Sequence, residues 1–345
     1  MSSAGACILT DRTAEKLNGL IAELNPSSVT LLTDENTAQH CLPLLATELP
    51  AFSQITVPAG EQNKNLGGAT QIWKEMTELQ IDRKGLLIVL GGGVLGDMGG
   101  FCASTYKRGI NFILIPTTLL AQVDASVGGK LGIDFEDFKN HIGVFQNPVA
   151  TIIDSRFLKT VPGGELRSGF AEIIKHCIIS DAVMFEKISG KDLESQQLEE
   201  LVAHSVAFKK DVVTKDPKES GLRKILNFGH TIGHGIESLS LGSSHRLLHG
   251  EAIAIGMITE SWIACQKNMI SSDELNQVTS FIKQIFGKET IPAATGDLIR
   301  VISQDKKNRG NKILMALPDG IGQCKWDVAV TPEEITASLE YYLSA

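Results

Sequence analysis

Leu86-Leu87-Ile88-Val89-Leu90-Gly91-Gly92-Gly93-Val94-Leu95-Gly96-Asp97 is the stretch on which the fold turns. Its apolar residues run without interruption from Leu86 to Leu90 and stop at three glycines. A run so short and so uniformly apolar predicts a strand buried on both faces, as in a parallel sheet. Gly91 to Gly96 then fits G-x-G-x-x-G, in which missing Cβ atoms let backbone N–H groups approach a pyrophosphate near a helix N-terminus. A tight structural turn would use the same glycines, but the strand before and the helical pattern after favour a nucleotide. Two details depart from the ordinary dinucleotide motif. The turn follows a strand in mid-domain, and Asp97 comes immediately after the last glycine.

Similar runs lie on either side. Val29–Leu32 leads into Thr33-Asp34, Asn111–Ile115 into Pro116-Thr117-Thr118, and Val149–Ile153 into Asp154. Helical patterns separate them, such as Leu66–Leu79 with Ile72, Met76 and Leu79 on one face. Alternating strands and helices predict an α/β unit of Rossmann-like type, with its ligand at the carboxyl ends of the strands. After Pro162-Gly163-Gly164 long amphipathic helical patterns dominate. In Glu165–Ser180 a stripe joins Phe170, Ile173, Ile174 and Cys177. The expected division is an α/β domain over 1–158 and a mostly α-helical domain over 159–345.

Composition narrows the function. At about 150 residues per domain, 345 residues suggest a two-domain chain. With 43% hydrophobic and 21% charged residues it is neither a disordered tail nor a coiled coil. No stretch approaches the roughly 18 apolar residues that would span a bilayer. The N-terminus lacks a basic segment ahead of an apolar core, so no secretory signal is expected and a cytoplasmic location is. A net charge of −8 argues against a general nucleic-acid binder. The six cysteines are scattered, with no C-x-x-C pair, and read as reduced thiols. Glycine is in excess, 33 residues where about 24 would be usual.

The second half carries the chemistry. His230 and His234 stand at i and i+4, and Leu248-His249-Gly250-Glu251 adds a third imidazole. Glu172 and Lys175 stand at i and i+3. Three imidazoles and a carboxylate suit a catalytic zinc, with three protein ligands and one open position. Spacing alone leaves open which three. Lys130 follows Val127-Gly128-Gly129, Lys139-Asn140 reads as part of a polar loop, and Lys209 and Arg223 flank an acidic stretch. Asp305-Lys306-Lys307 lies near the C-terminus, and Pro58–Lys64 reads as a loop carrying an acid and a base, Glu61 and Lys64. Lysines beside glycine and asparagine in an acidic chain suggest an anionic substrate.

Taken together and in order, Gly91–Phe101, Pro116–Asp124, Ser126–Lys130, Lys139-Asn140, Ala171–Lys175, Arg223–His234 and Leu248–Glu251 resemble the 3-dehydroquinate synthase family of sugar-phosphate cyclases. The resemblance implies a lyase dependent on NAD and on one zinc or cobalt ion. It would convert 3-deoxy-D-arabino-heptulosonate 7-phosphate to 3-dehydroquinate and phosphate, in the shikimate route to aromatic amino acids. Transient oxidation, phosphate elimination, reduction and an intramolecular aldol closure would follow one another.

The same resemblance implies roles for particular residues. Metal ligands map to Glu172, His230 and His249, with His234 near the substrate phosphate. NAD contacts map to Asp34, Glu61, Lys64, Gly92, Gly93, Val94, Asp97, Thr117, Thr118, Lys139, Phe157 and Thr160. Catalytic and substrate contacts map to Lys130, Lys175, Lys209, Arg223, Asn227, Asp124, Asn140 and one of Lys306 or Lys307, with Glu219 in an acid–base role. Arg108 maps to an arginine that reaches the neighbouring subunit, which implies a homodimer. Ser168 and Asp134 depart from the family pattern, standing where relatives carry asparagine or aspartate and asparagine respectively. Alternative readings are another sugar-phosphate cyclase and a metal-dependent polyol dehydrogenase.

Overall fold

A computed structural model describes residues 5–125, 127–136, 138–240, 246–292, 294–303 and 313–344. Lys306 and Lys307 lie outside the described residues. The chain divides into two compact units, Met1–Pro162 and Gly163–Ala345.

In the first unit the strands are β1 (Ala6–Leu9), β2 (Val29–Asp34), β3 (Ser53–Val57), β4 (Leu86–Gly91) and β5 (Asn111–Pro116), then β6 (Lys130–Phe135), β7 (Phe138–Phe145) and β8 (Ala150–Ile153). Six of them form one parallel sheet in the order β1-β8-β5-β4-β2-β3. The helices are α1 (Thr13–Leu24), α2 (Glu35–His40), α3 (Leu66–Glu78) and α4 (Gly93–Thr105). Every residue of β4 is buried. Leu87 and Val89 pack with Ile72 and Met76 of α3 and Met98 of α4, while Leu86, Ile88 and Leu90 pack with Leu17 of α1. The chain steps from β2 to β3 on one side and from β4 to β5 on the other, so its direction reverses between the neighbours β2 and β4. Ligands of open parallel sheets bind at such a reversal. This is why the glycine turn follows a mid-domain strand.

Some expectations need correcting. Leu79 is exposed, because α3 ends at Glu78 and its buried stripe stops at Met76. Lys139 and Asn140 lie in β7, not in a loop. β7 pairs antiparallel with β6, Lys130 opposite Phe145, and most of its residues are exposed, so no apolar run marks it.

The second unit contains α5 (Gly163–Ser180), α6 (Ala182–Ile188), α7 (Leu198–Lys215), α8 (His230–Ser240), α9 (His249–Gln266), α10 (Ser272–Phe286), α11 (Thr295–Ser303) and α12 (Pro332–Ser344). An antiparallel hairpin, β9 (Ile313–Pro318) with β10 (Cys324–Val330), interrupts the helices. α5 is buried without a break from Ser168 to Ile179, and α9 from Gly250 to Ser261. Helices enclosed on all sides form the centre of a helical core. No described helix is long and apolar enough to cross a membrane.

Candidate active site

In the first unit β4 ends at Gly91 and α4 starts at Gly93, leaving Gly92 as the N-cap. Gly92 offers no side-chain acceptor, so the first amides of α4 suit an anion. A Cβ on Gly92 would meet Thr118 Cγ2 at 3.0 Å. Beside the turn a hollow is lined by Gly91, Gly93, Asp97, Pro116 and Ala121. Thr117 N–H donates to Gly91 O at 3.0 Å, which ties the end of β5 to the turn. Absent side chains and open amides fit a dinucleotide here.

Charged groups surround that turn. Lys64 is buried and donates to Asp97 Oδ2 and to Asn140 Oδ1, both at 2.6 Å. Burial pushes the Asp97 carboxyl up from its ordinary value, and Lys64 offsets only part of the rise. Glu61 Oε1 stands 3.5 Å from Lys139 Nζ. Asp134 Oδ1 accepts from Asn140 N–H at 2.7 Å and so fixes the β7 backbone at Asn140. Asp34 closes β2 and caps α2 through Thr37 N–H at 2.8 Å. Val94 is half-buried in the first turn of α4, and Thr118 Oγ1 accepts from Ala121 N–H. The Phe157 side chain belongs to the core beneath the sheet, and Thr160 ends the following turn, exposed. Asp124 is half-buried just after β5, Lys130 is exposed at the start of β6, and Arg108 is exposed.

The second unit uses buried charge instead. Glu172 on α5 is wholly buried and accepts from Lys175 Nζ through Oε2. Its Oε1 makes no hydrogen bond, and it faces His230 Nε2 at 3.5 Å and His249 Nε2 at 3.8 Å. Each imidazole has its other nitrogen engaged: His230 Nδ1 with Phe228 O at 3.0 Å, His249 Nδ1 with Glu237 Oε2 at 3.2 Å. Such outer partners direct the Nε2 lone pairs inwards. Zinc bonds of about 2.0–2.1 Å at tetrahedral angles put neighbouring donors roughly 3.4 Å apart. The trio fits a divalent cation.

The nitrogens of His230, His234 and His249 also gather within 4.8 Å. Glu172 has the stronger claim to a ligand position than His234, because leaving its buried Oε1 without a donor is costly unless a cation sits against it. Burial alone would push the Glu172 carboxyl up, but Lys175, then His230 and His249, hold it well below the carboxylate range. Burial and then Lys175 push His230 well down. Burial also opposes charge on His249, yet Glu172 and Glu237 bring it up to about 10.

Other basic groups lie in the same unit. Lys209 and Arg223 are both buried, and Arg223 donates through Nη1 to Pro217 O at 2.9 Å. Asp216 binds the amides of Ser220, Gly221 and Arg223 and so shapes the loop that carries Glu219. Glu219 Oε1 accepts from Asn227 Nδ2 at 2.7 Å. His234 stands one turn after His230, its ring centre 4.9 Å away. Ser168 Oγ accepts from Gly250 N–H at 2.8 Å, so this departure from the family pattern caps the helix that begins with His249. Sequence reasoning missed Glu237, although His230, His234 and Glu237 share one helical face at i, i+4 and i+7. It also missed Glu260, whose signal is the polar triplet Thr259-Glu260-Ser261 inside an otherwise apolar helix.

A parallel nucleotide-type sheet followed by a helical unit is the fold shared with solved sugar-phosphate cyclases and, more distantly, dehydrogenases. The valiolone synthase ValA of Streptomyces hygroscopicus, solved with NAD⁺ and Zn²⁺, superposes with a TM-score of 0.89 at 25% identity, covering 100% of this chain and 98% of that one. A 2-deoxy-scyllo-inosose synthase solved with NAD⁺ and Co²⁺ shares the fold at TM-score 0.86 and 22% identity, covering 97% and 96%. A probable glycerol dehydrogenase of Sinorhizobium meliloti shares it more distantly, at TM-score 0.61 and 16% identity, covering 99% and 98%. Residues 54–168 match the family described as 3-dehydroquinate synthase N-terminal, and residues 169–308 match its C-terminal counterpart. A 3-dehydroquinate synthase of Parabacteroides distasonis is 39% identical across 99% of this chain and 98% of that one. Another, from a Sulfurovum species, is 42% identical across 86% and 85%. The chain belongs to the 3-dehydroquinate synthase family, and it is an enzyme with that family's activity.

Proposed function

We propose that the chain performs the 3-dehydroquinate synthase reaction as a lyase, with NAD at the Gly91–Gly93 turn and one zinc or cobalt ion held by Glu172, His230 and His249. The observation that carries the cation assignment is the buried Glu172 Oε1, without a hydrogen-bond donor and facing two imidazole Nε2 atoms. When bound, NAD accepts and returns a hydride, and the cation lowers the pKa of a substrate hydroxyl.

This chain's own groups do the rest. Lys209 and Arg223, both buried, supply positive charge where phosphate leaves as an anion. Lys175 keeps Glu172 ionised and so keeps it a ligand. His234, beside His230, is placed to hold or pass a proton at the substrate phosphate. Asn227 orients the Glu219 carboxylate for acid–base work. Lys130, Asp124 and Asn140 in the first unit, and one of Lys306 or Lys307 in the second, complete the substrate contacts. Arg108 serves the site of a second copy; its φ of +71°, next to Lys107 at +50°, is the kind of backbone strain kept at functional positions. None of the six cysteines forms a disulfide, in keeping with a cytoplasmic enzyme.

The test follows phosphate release and NADH absorbance together, with heptulosonate phosphate, NAD⁺ and zinc. Phosphate without net NADH is expected. Net NADH would indicate a dehydrogenase. Silence here with turnover of sedoheptulose 7-phosphate would indicate a valiolone-type cyclase.

A further inference from the structure

α8 begins at His230, and its first helical bond runs from Gly233 N to Gly229 O. Gly229 is therefore the N-cap, and it has no side chain to cap the turn. The first amides of a helix have no acceptor within it. Glu260, about three turns after His249 on α9, supplies one from outside. Its Oε2 accepts from Gly229 N–H at 2.6 Å, and its Oε1 from Thr231 N–H at 3.1 Å and Ile232 N–H at 3.0 Å. The carboxylate is wholly buried. The two helices touch at this level, since a Cβ on Gly256 would stand 1.9 Å from Gly229 O.

This arrangement reaches the His230 ring by two routes. His230 is the first residue of the turn whose amides Glu260 gathers. Its Nδ1 also bonds to Phe228 O, one residue before the amide that Glu260 Oε2 holds. Burying a carboxylate is costly unless hydrogen bonds replace its water. The positive end of α8 offers that replacement, with three amides in a fixed fan. One long helix thus carries His249 at its start and the carboxylate that seats His230 further along.

We propose that Glu260 is a positioning residue for the cation site, holding the first turn of α8 so that His230 Nε2 faces Glu172 Oε1. The proposal rests on reading Glu172, His230 and His249 as the cation ligands. It is tested on the full chain by titrating cobalt(II) and zinc against a competing chelator, in the wild type, Glu260→Gln, Glu260→Asp and His230→Ala. Glu260→Gln keeps the size but turns one acceptor into a donor. Glu260→Asp keeps the charge but falls one methylene short. Both should weaken cation affinity about 10–100-fold, as loss of an outer-shell partner does. Both should shift the visible absorption of bound cobalt(II) and leave NAD affinity unchanged. Wild-type affinity and spectrum with only a lowered melting temperature would overturn the proposal, leaving Glu260 a packing residue. His230→Ala reports separately: wild-type cation affinity in that variant would overturn the ligand reading itself. If Glu260→Gln does not fold, Glu260→Asp decides.

Discussion

The candidate sites of the two units are built from opposite materials. At the turn after β4 the working parts are backbone amides, exposed by side chains that are missing. At the head of α8 and α9 the working parts are Glu172, His230 and His249, each oriented by another side chain or a carbonyl. A backbone site needs few partners and tolerates little added volume. A buried charged site needs many partners, and losing one leaves the others uncompensated.

That contrast yields measurable differences. Glu172→Ala should have the largest effect, abolishing cation content and turnover. It also strips Lys175, 1% exposed, of the carboxylate it donates to, which should cost about 3–5 kcal/mol. Metal analysis after dialysis and a denaturant melt read both. Gly256→Ala comes next: overpacking against Gly229 O should cost about 1–3 kcal/mol, read as a lower midpoint with an unchanged slope. Gly92→Val should weaken NAD about tenfold or more, roughly 1.4 kcal/mol, by calorimetric titration, while the melting temperature barely moves. Loss of folding in Gly92→Val, with stability untouched in Glu172→Ala, would reverse the contrast.

The smallest effect is a pH dependence. Burial pushes the Asp216 carboxyl up, but the amides of Gly221, Ser220 and Arg223 outweigh it and bring the group down to about 2 from 3.8. The unfolded chain therefore takes up this proton at higher pH than the folded one. Its stabilisation is present above 3.8 and is lost as pH falls towards about 2. Asp216→Asn should flatten that part of the acid side of the stability profile, read by denaturant midpoints between pH 5 and 2. An acid limb as steep as the wild type's would show that Asp216 does not titrate there.

The same contrast explains what could be read in the sequence. β4 and β5 announce themselves because strands buried on both faces are largely apolar, and β2 and β8 follow them with threonine as the only polar residue in their buried stretches. β1 does not because it is only four residues long, and β3 and the β6–β7 hairpin do not because half-exposed strands mix polar and apolar residues. The glycine turn is a local property of one segment and is visible as such. The cation trio joins α5, α8 and α9, and spacing can gather His230 with His234 more readily than with Glu172, which is distant in the chain. The resemblance to the family named Glu172 and His249. Residue chemistry alone could not exclude His234, and the helix-capping roles of Ser168 and Glu260 required three-dimensional packing.

One pairing in the sheet also bears on how the chain is made. β1 lies against β8, with Ala6 opposite Ala150, and β8 in turn lies against β5. A ribosome adding roughly 5–20 residues per second takes on the order of 10 s to deliver the partner of β1. Until then the first strand waits unpaired on the nascent chain. It is four residues long and only partly buried even when paired, so it offers little edge to a neighbouring polypeptide in the interval.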